Sequence, residues 1–164
     1  MLKLAEVNAM DREQFARRVG PVFEHSPWIA ARTEAARPFA TREELLAALR
    51  RTVAQASEEE KITLIRAHPD LVGRASLTNE SQTEQAAAGL DQLFAEEAAQ
   101  FRDFNRRYRE KFDFPFVICA RENKKKAILA AFPKRLQNSR EAEMQTALEE
   151  ILKIAGLRLR DLVQ

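Results

Sequence analysis

The chain has 164 residues, nearly half of them apolar, and its 27 Lys and Arg against 25 Asp and Glu leave a formal charge of +2. That length suits one domain, here the whole span 1–164, built on a single core. The near balance of charge argues against a nucleic-acid or anionic-membrane partner, and the lone Cys119 excludes an intrachain disulfide and a cysteine-based zinc finger.

No apolar run approaches the ~20 residues that a spanning helix needs. The N-terminus lacks the apolar core of a signal peptide, and the closing Asp161-Leu162-Val163-Gln164 is not a peroxisomal tripeptide address. The expectation is a soluble cytoplasmic protein, with which a free thiol agrees.

Helix signals dominate, because only four Gly and six Pro punctuate the chain. Ser26-Pro27-Trp28 sets a capping residue before a proline at a first helical position. Thr41 with Glu44, and Ser57 with Glu60, each match a capping box and predict helices to about Ala56 and Ala67. Pro69 then disfavours helical geometry at His68. Ser81 with Glu84 is a third capping box, opening a long amphipathic stretch through Leu90, Leu93, Phe94, Phe101, Phe104 and Tyr108. Phe114 to Cys119 is short, apolar and marked by Pro115, which predicts a buried extended segment. Two helices close the chain, one near Lys124 to Leu136 and one from about Ser139. The predicted class is all-α: a single-domain helical bundle with irregular connecting segments.

Four polar features fall in unexpected places. His68 stands where a helix ends, and a helix C-terminus favours a cationic imidazole able to donate a proton near neutral pH. The plain alternative is a helix-ending His-Pro pair with a partly exposed ring. Ser81-Gln82-Thr83-Glu84-Gln85 is either a simple cap or an anion-binding helix start. Glu84 separates the two readings: reaching back to the Ser81 backbone it is a cap, turned to a pocket it can hold a ligand. Arg158 borders the apolar stripe of the last helix, while Arg160 falls further round toward solvent. An inward arginine needs an anion: Glu84, another structural partner or a substrate carboxylate. Alternatively its stem packs on the core with its head in water. Lastly, the Phe114 to Ala120 segment is either plain core or a backbone edge whose amides seek partners.

Lys124-Lys125-Lys126 reads more simply as a solvated helix start than as a phosphate site, and His25 and Trp28 as packing of an N-terminal turn. No metal-ligand spacing, phosphate-cradling glycine loop or serine nucleophile elbow is visible. Cys119 lies in an apolar run, where a thiol is usually inert.

Five stretches together resemble the 2-oxo-4-hydroxy-4-carboxy-5-ureidoimidazoline (OHCU) decarboxylases of urate breakdown. They are Phe23 to Ala30, Ala67-His68-Pro69-Asp70-Leu71, Ser81 to Gln85, Phe114 to Ile118, and Glu150 to Ala155 running on to Leu157-Arg158-Leu159. They keep the family's order and span nearly the whole chain. The resemblance implies an all-helical enzyme without metal or organic cofactor, acting on a small molecule to give (S)-allantoin, with a possible homodimer as the assembly. It assigns catalysis to His68 as proton donor, with Glu84 and Arg158. It implies substrate contacts from Pro69, Ser81, Gln82, Thr83, Glu84, Gln85 and Arg158, and from the backbone of Phe116, Val117, Ile118, Cys119 and Ala120. Rival readings are a helical interaction module with an exposed apolar groove, a nucleic-acid binder using the surface near Lys124, and a ureide hydrolase, which would need an activated water or a metal.

Overall fold

The structure, a computed structural model, describes residues 1–73 and 77–164. Among the described residues there are nine α-helices, three short 3-10 turns and one isolated bridge, from Leu2 to Val163, with no sheet. The all-α class is as the helix signals predict. No helix among the described residues is long and apolar enough to cross a membrane.

The chain divides into two compact units, Met1–Leu64 with Leu152–Gln164, and Ile65–Ile151. The first holds α1 (Leu4–Ala9), α2 (Arg12–Val19), α3 (Trp28–Thr33), α4 (Arg42–Gln55), most of α5 (Glu58–Arg66) and the end of α9 (Arg140–Leu162). Its core is Val7, Phe15, Val19, Phe23, Ile29, Leu45, Leu49 and Val53, all buried. Gly156 of α9 lets Leu46 of α4 approach to 3.4 Å from where a Cβ would stand. The Asn8 amide pairs with both backbone groups of Phe39, at 2.8 and 2.9 Å, and fixes the loop before α4.

Of the predicted capping boxes, Ser57 with Glu60 is complete, whereas Thr41 makes only its half, the Glu44 carboxylate accepting the Ala40 amide instead at 2.8 Å. The Glu44 amide donates to Thr41 Oγ1 at 3.1 Å, and Ser57 and Glu60 exchange both bonds of a capping box. Ser26 does not cap. Its hydroxyl donates to the Glu24 carbonyl, and Pro27 itself takes helical angles ahead of Trp28.

The second unit holds the end of α5, α6 (Asn79–Ala87), α7 (Ala95–Phe112), α8 (Lys125–Arg135) and the start of α9. Its core is aromatic. Phe116 stacks on Phe132 with ring centroids 3.8 Å apart, Phe132 stacks on Phe104, and Tyr108 meets Phe116 edge-on.

Two expectations need correction here. Helix α6 starts earlier than Ser81: Thr78 is the N-cap, and its hydroxyl accepts the Ser81 amide at 3.2 Å. The amphipathic stretch that follows is two helices, not one. Gly89, at φ +84, turns left-handed, and the Leu90 amide reaches back five residues to the Gln85 carbonyl, a Schellman-type stop. A Cβ on Gly89 would meet only Lys125 Cδ, at 3.9 Å. Gly89→Ala should therefore cost stability through backbone conformation alone, about 1 kcal/mol, read from the urea midpoint. A neutral result would remove the left-handed stop.

The lysine run is more than a solvated helix start. Lys124 Nζ donates to the Ala87 carbonyl at 2.6 Å, and the Lys125 amide donates to the Ala88 carbonyl at 3.0 Å. Both bonds satisfy carbonyls at the C-terminal end of α6, where the helix dipole favours the Lys124 ammonium.

Candidate active site

In the second unit, α5 ends at Arg66, and His68 follows, its amide on the Ile65 carbonyl at 3.1 Å. Proline at 69 stops the helix, as the sequence predicts. The imidazole is buried, 6% exposed, which goes against the partly exposed ring of the plain reading.

The turn after His68 is held from three sides. Asp70 accepts both its bonds from Arg109 Nε, at 2.9 and 3.1 Å. The Leu71 carbonyl accepts from Asn105 Nδ2 at 2.8 Å. The Val72 amide donates to Gln85 Oε1 at 3.3 Å. Val72 has φ 59, a left-handed conformation that β-branched residues rarely adopt and that its surroundings must enforce. Sequence reasoning missed Asn105 and Arg109. Asn105 carried a signal, since it interrupts the buried stripe of Phe101, Tyr108 and Phe112 at helical spacing. Its Oδ1 is buried and has no hydrogen-bond partner among the described residues.

On α6, Ser81 and Gln85 are buried, Glu84 is half-buried, and Gln82 and Thr83 are exposed. The Thr83 hydroxyl turns back to the Asn79 carbonyl at 2.9 Å. Thr78 takes the Ser81 amide, so the N-cap of α6 is Thr78 and not Ser81. Gln85 accepts the Val72 amide through its side-chain carbonyl, and its other terminal group is an NH₂ donor.

Phe114 to Cys119 is extended and buried as predicted, Ile118 being the half-buried exception. Its backbone groups find charged partners that sequence reasoning missed. Arg135 Nη1 donates to the Val117 carbonyl at 2.6 Å, and the Cys119 amide donates to Glu150 Oε2 at 2.8 Å. Arg135 also pairs with Glu143 at 2.9 Å and lies over the Phe116 ring at 4.2 Å. Glu143 accepts from Asn138 at 2.8 Å and from the Tyr108 hydroxyl. The spacing argument that singles out Arg158 would have found these groups. Glu143, Ala147, Glu150 and Ile154 follow one another at intervals of three or four along α9, and Ile128, Phe132 and Arg135 do so on α8.

Burial pushes the Tyr108 hydroxyl pKa well up; Arg135 opposes the shift, and the bond to Glu143 adds to it. A raised pKa stabilises the fold fully below the phenol's unfolded value of about 10 and loses that contribution as pH rises above it. Since Tyr108 is the sole tyrosine, absorbance at 295 nm should show no phenolate until the chain unfolds in alkali. A titration near pH 10 in folded protein would refute the burial argument. Burial, with Glu122 nearby, likewise raises the Cys119 thiol, as expected of an inert cysteine.

In the first unit, Arg158 is 7% exposed and Arg160 is exposed, as the stripe predicts. Arg158 Nη1 meets Glu24 Oε2 at 2.9 Å, both side chains being buried. Of the partners the sequence left open, a structural carboxylate is therefore present. Glu24 is offered by a tight turn in which His25 has φ 44 and Ser26 bonds back to the Glu24 carbonyl. Trp28 packs under the Arg32 guanidinium at 4.7 Å. Among the described residues, no group of three His, Cys, Asp or Glu could hold a metal ion.

The family model described as OHCU decarboxylase matches residues 8–160, running through both units. A 2-oxo-4-hydroxy-4-carboxy-5-ureidoimidazoline decarboxylase of Haloferax volcanii is 42% identical over 160 residues, covering 98% of this chain and 95% of its own. One of Halalkalicoccus jeotgali is 43% identical over 161 residues, covering 98% and 92%. Among solved structures, an (S)-allantoin synthase matches with a TM-score of 0.82 at 28% identity. That match covers all of this chain and 54% of the other, so this chain spans about half the length of that solved protein.

Proposed function

The chain belongs to the OHCU decarboxylase family, and on that premise we propose that it converts 2-oxo-4-hydroxy-4-carboxy-5-ureidoimidazoline to (S)-allantoin in urate degradation. The observation that carries the reading to individual residues is the buried His68 at the end of α5, in a turn held by Asn105, Arg109 and Gln85.

The substrate's chemistry explains what such a site must do. Its carboxylate sits on a ring carbon beside a C=N bond. As the C–C bond to the carboxylate breaks, its electron pair forms a ring C=C bond and the imine pair moves to nitrogen. The substrate is thus its own electron sink. The resulting enol collapses to a carbonyl as the ureido-bearing carbon takes a proton and the hydroxyl proton passes to the ring nitrogen that received the imine pair. The protein has to orient the ring, stabilise charge and deliver that proton to one face.

His68 delivers the proton in this reading. Glu84, a carboxylate, accepts from ureido or ring N–H groups. Gln85, whose carbonyl accepts from Val72, donates its NH₂ group to a substrate oxygen. Ser81 and Pro69 line the site, with Gln82 and Thr83 on the outer side of the same turn, and Arg158 binds anionic or carbonyl groups, steadied by Glu24. The backbone from Phe116 to Ala120 supplies amide contacts. The homodimer and the cytoplasmic location remain parts of this proposal, the first tested by light scattering of the purified chain.

The deciding experiment generates the unstable substrate from urate with the upstream enzymes, adds this protein, and follows allantoin chirality by circular dichroism. Rapid formation of the S enantiomer is expected. Racemic product at the background rate would end the decarboxylase reading.

A further inference from the structure

Among residues 114–120, only Ile118 is not buried. Its amide and carbonyl have no hydrogen-bond partner among the described residues, while the peptide groups on either side are tied to charged side chains. Cation and anion are placed in a particular order. Arg135 donates to the Val117 carbonyl at 2.6 Å. Glu150 accepts from the Cys119 amide at 2.8 Å.

A trans peptide is planar, with its C=O and N–H pointing in opposite directions. The Val117 carbonyl and the Ile118 amide share one peptide group, so the Ile118 N–H points away from Arg135. The Ile118 carbonyl and the Cys119 amide share the next, so the Ile118 C=O points away from Glu150. Each charge also polarises its peptide. A guanidinium on a carbonyl oxygen draws electron density from the amide and makes the Ile118 N–H a stronger donor. A carboxylate on an amide proton releases density and makes the Ile118 C=O a stronger acceptor. Swapping the two charges would weaken both.

We propose that Arg135 and Glu150 are positioning residues, which orient and polarise the Ile118 peptide edge to receive the donor–acceptor edge of a ureido or cyclic amide ligand. Neither residue touches substrate; both act through the backbone. Arg135 is in turn fixed by Glu143, which also accepts from Asn138 and Tyr108. The inference rests on the decarboxylase reading.

One set of variants tests it in the full chain. Cys119 is the only cysteine, so protein labelled with ¹³C-carbonyl isoleucine and ¹⁵N-cysteine gives a single Ile118–Cys119 amide signal. In Glu150→Ala this amide proton should move upfield, and the KM for OHCU should rise about tenfold, as expected for loss of one charged hydrogen bond. Turnover should change far less. Glu150→Gln keeps an acceptor without the charge, so it should fall between wild type and Glu150→Ala in both shift and KM. If the signal stays put in Glu150→Ala, the hydrogen bond is not there and the inference falls. If the signal moves but KM matches wild type, the positioning role falls while the decarboxylase reading stands. An inactive wild-type chain would sink that reading first, and the inference with it.

Discussion

His68→Asn is expected to slow enzymatic turnover by ~10²–10⁴-fold, the usual contribution of a positioned acid or base. The allantoin that still forms should be racemic, because water then protonates the intermediate from either face. The three side chains that hold the turn, Asn105, Arg109 and Gln85, remain in this variant. The backbone around position 68 should therefore stay in place, and the far-UV circular dichroism should match wild type. Rate and product chirality are measured together in the coupled assay from urate. Undiminished turnover with S product would remove His68 from the mechanism. A slow enzyme that still makes pure S product would separate the two roles, leaving face selection to other groups. An Asn105→Leu control removes a clamp while leaving the imidazole, and a milder loss is expected there.

The second large effect is on stability. Arg158→Gln should cost about 3 kcal/mol or more, because removing one partner of a buried ion pair leaves the other charge under-compensated in a poorly solvating place. Here that charge is Glu24, whose side chain is 1% exposed. Arg160→Gln, two residues further on and exposed, should stay within about 0.5 kcal/mol of wild type. Urea unfolding of the two variants gives the comparison. Replacing Glu24 and Arg158 together by Gln should restore part of the loss, since neither charge is then stranded. Equal effects of the two single arginine changes would overturn the inward placement of Arg158. Activity adds a further reading: a role for Arg158 beyond its ion pair predicts that the double variant regains stability without regaining turnover.

Much of this was legible in the residues. Capping pairs at Thr41 and Ser57 and the proline after His68 are local devices: the caps close hydrogen bonds within three residues, and the proline offers no N–H and disfavours helical geometry just before it. They form wherever the chain goes, so sequence spacing predicts them. The inward arginine was legible for a related reason: a helix has a fixed period, so a stripe of apolar positions marks one face. The same period would have exposed Asn105, Arg135, Glu143 and Glu150 as polar groups on buried faces. Local rules also misled. Ser81 with Glu84 fits a capping box, yet Thr78 offers a hydroxyl to the Ser81 amide first, and two candidates in one short stretch cannot both be the cap.

The sequence by itself determined the all-α class, the helix ends around His68, the buried extended segment before Cys119 and the face on which Arg158 stands. Each follows from hydrogen bonds or periodicity within a few residues. The tertiary structure alone decided which partners meet across long stretches of chain: Glu24 with Arg158, Asn105 with Leu71, Arg135 with Val117, and Glu150 with Cys119. Such pairs depend on how helices pack, and a buried charge or amide takes whichever counterpart that packing brings within about 3 Å, because leaving it unpaired in the interior costs too much.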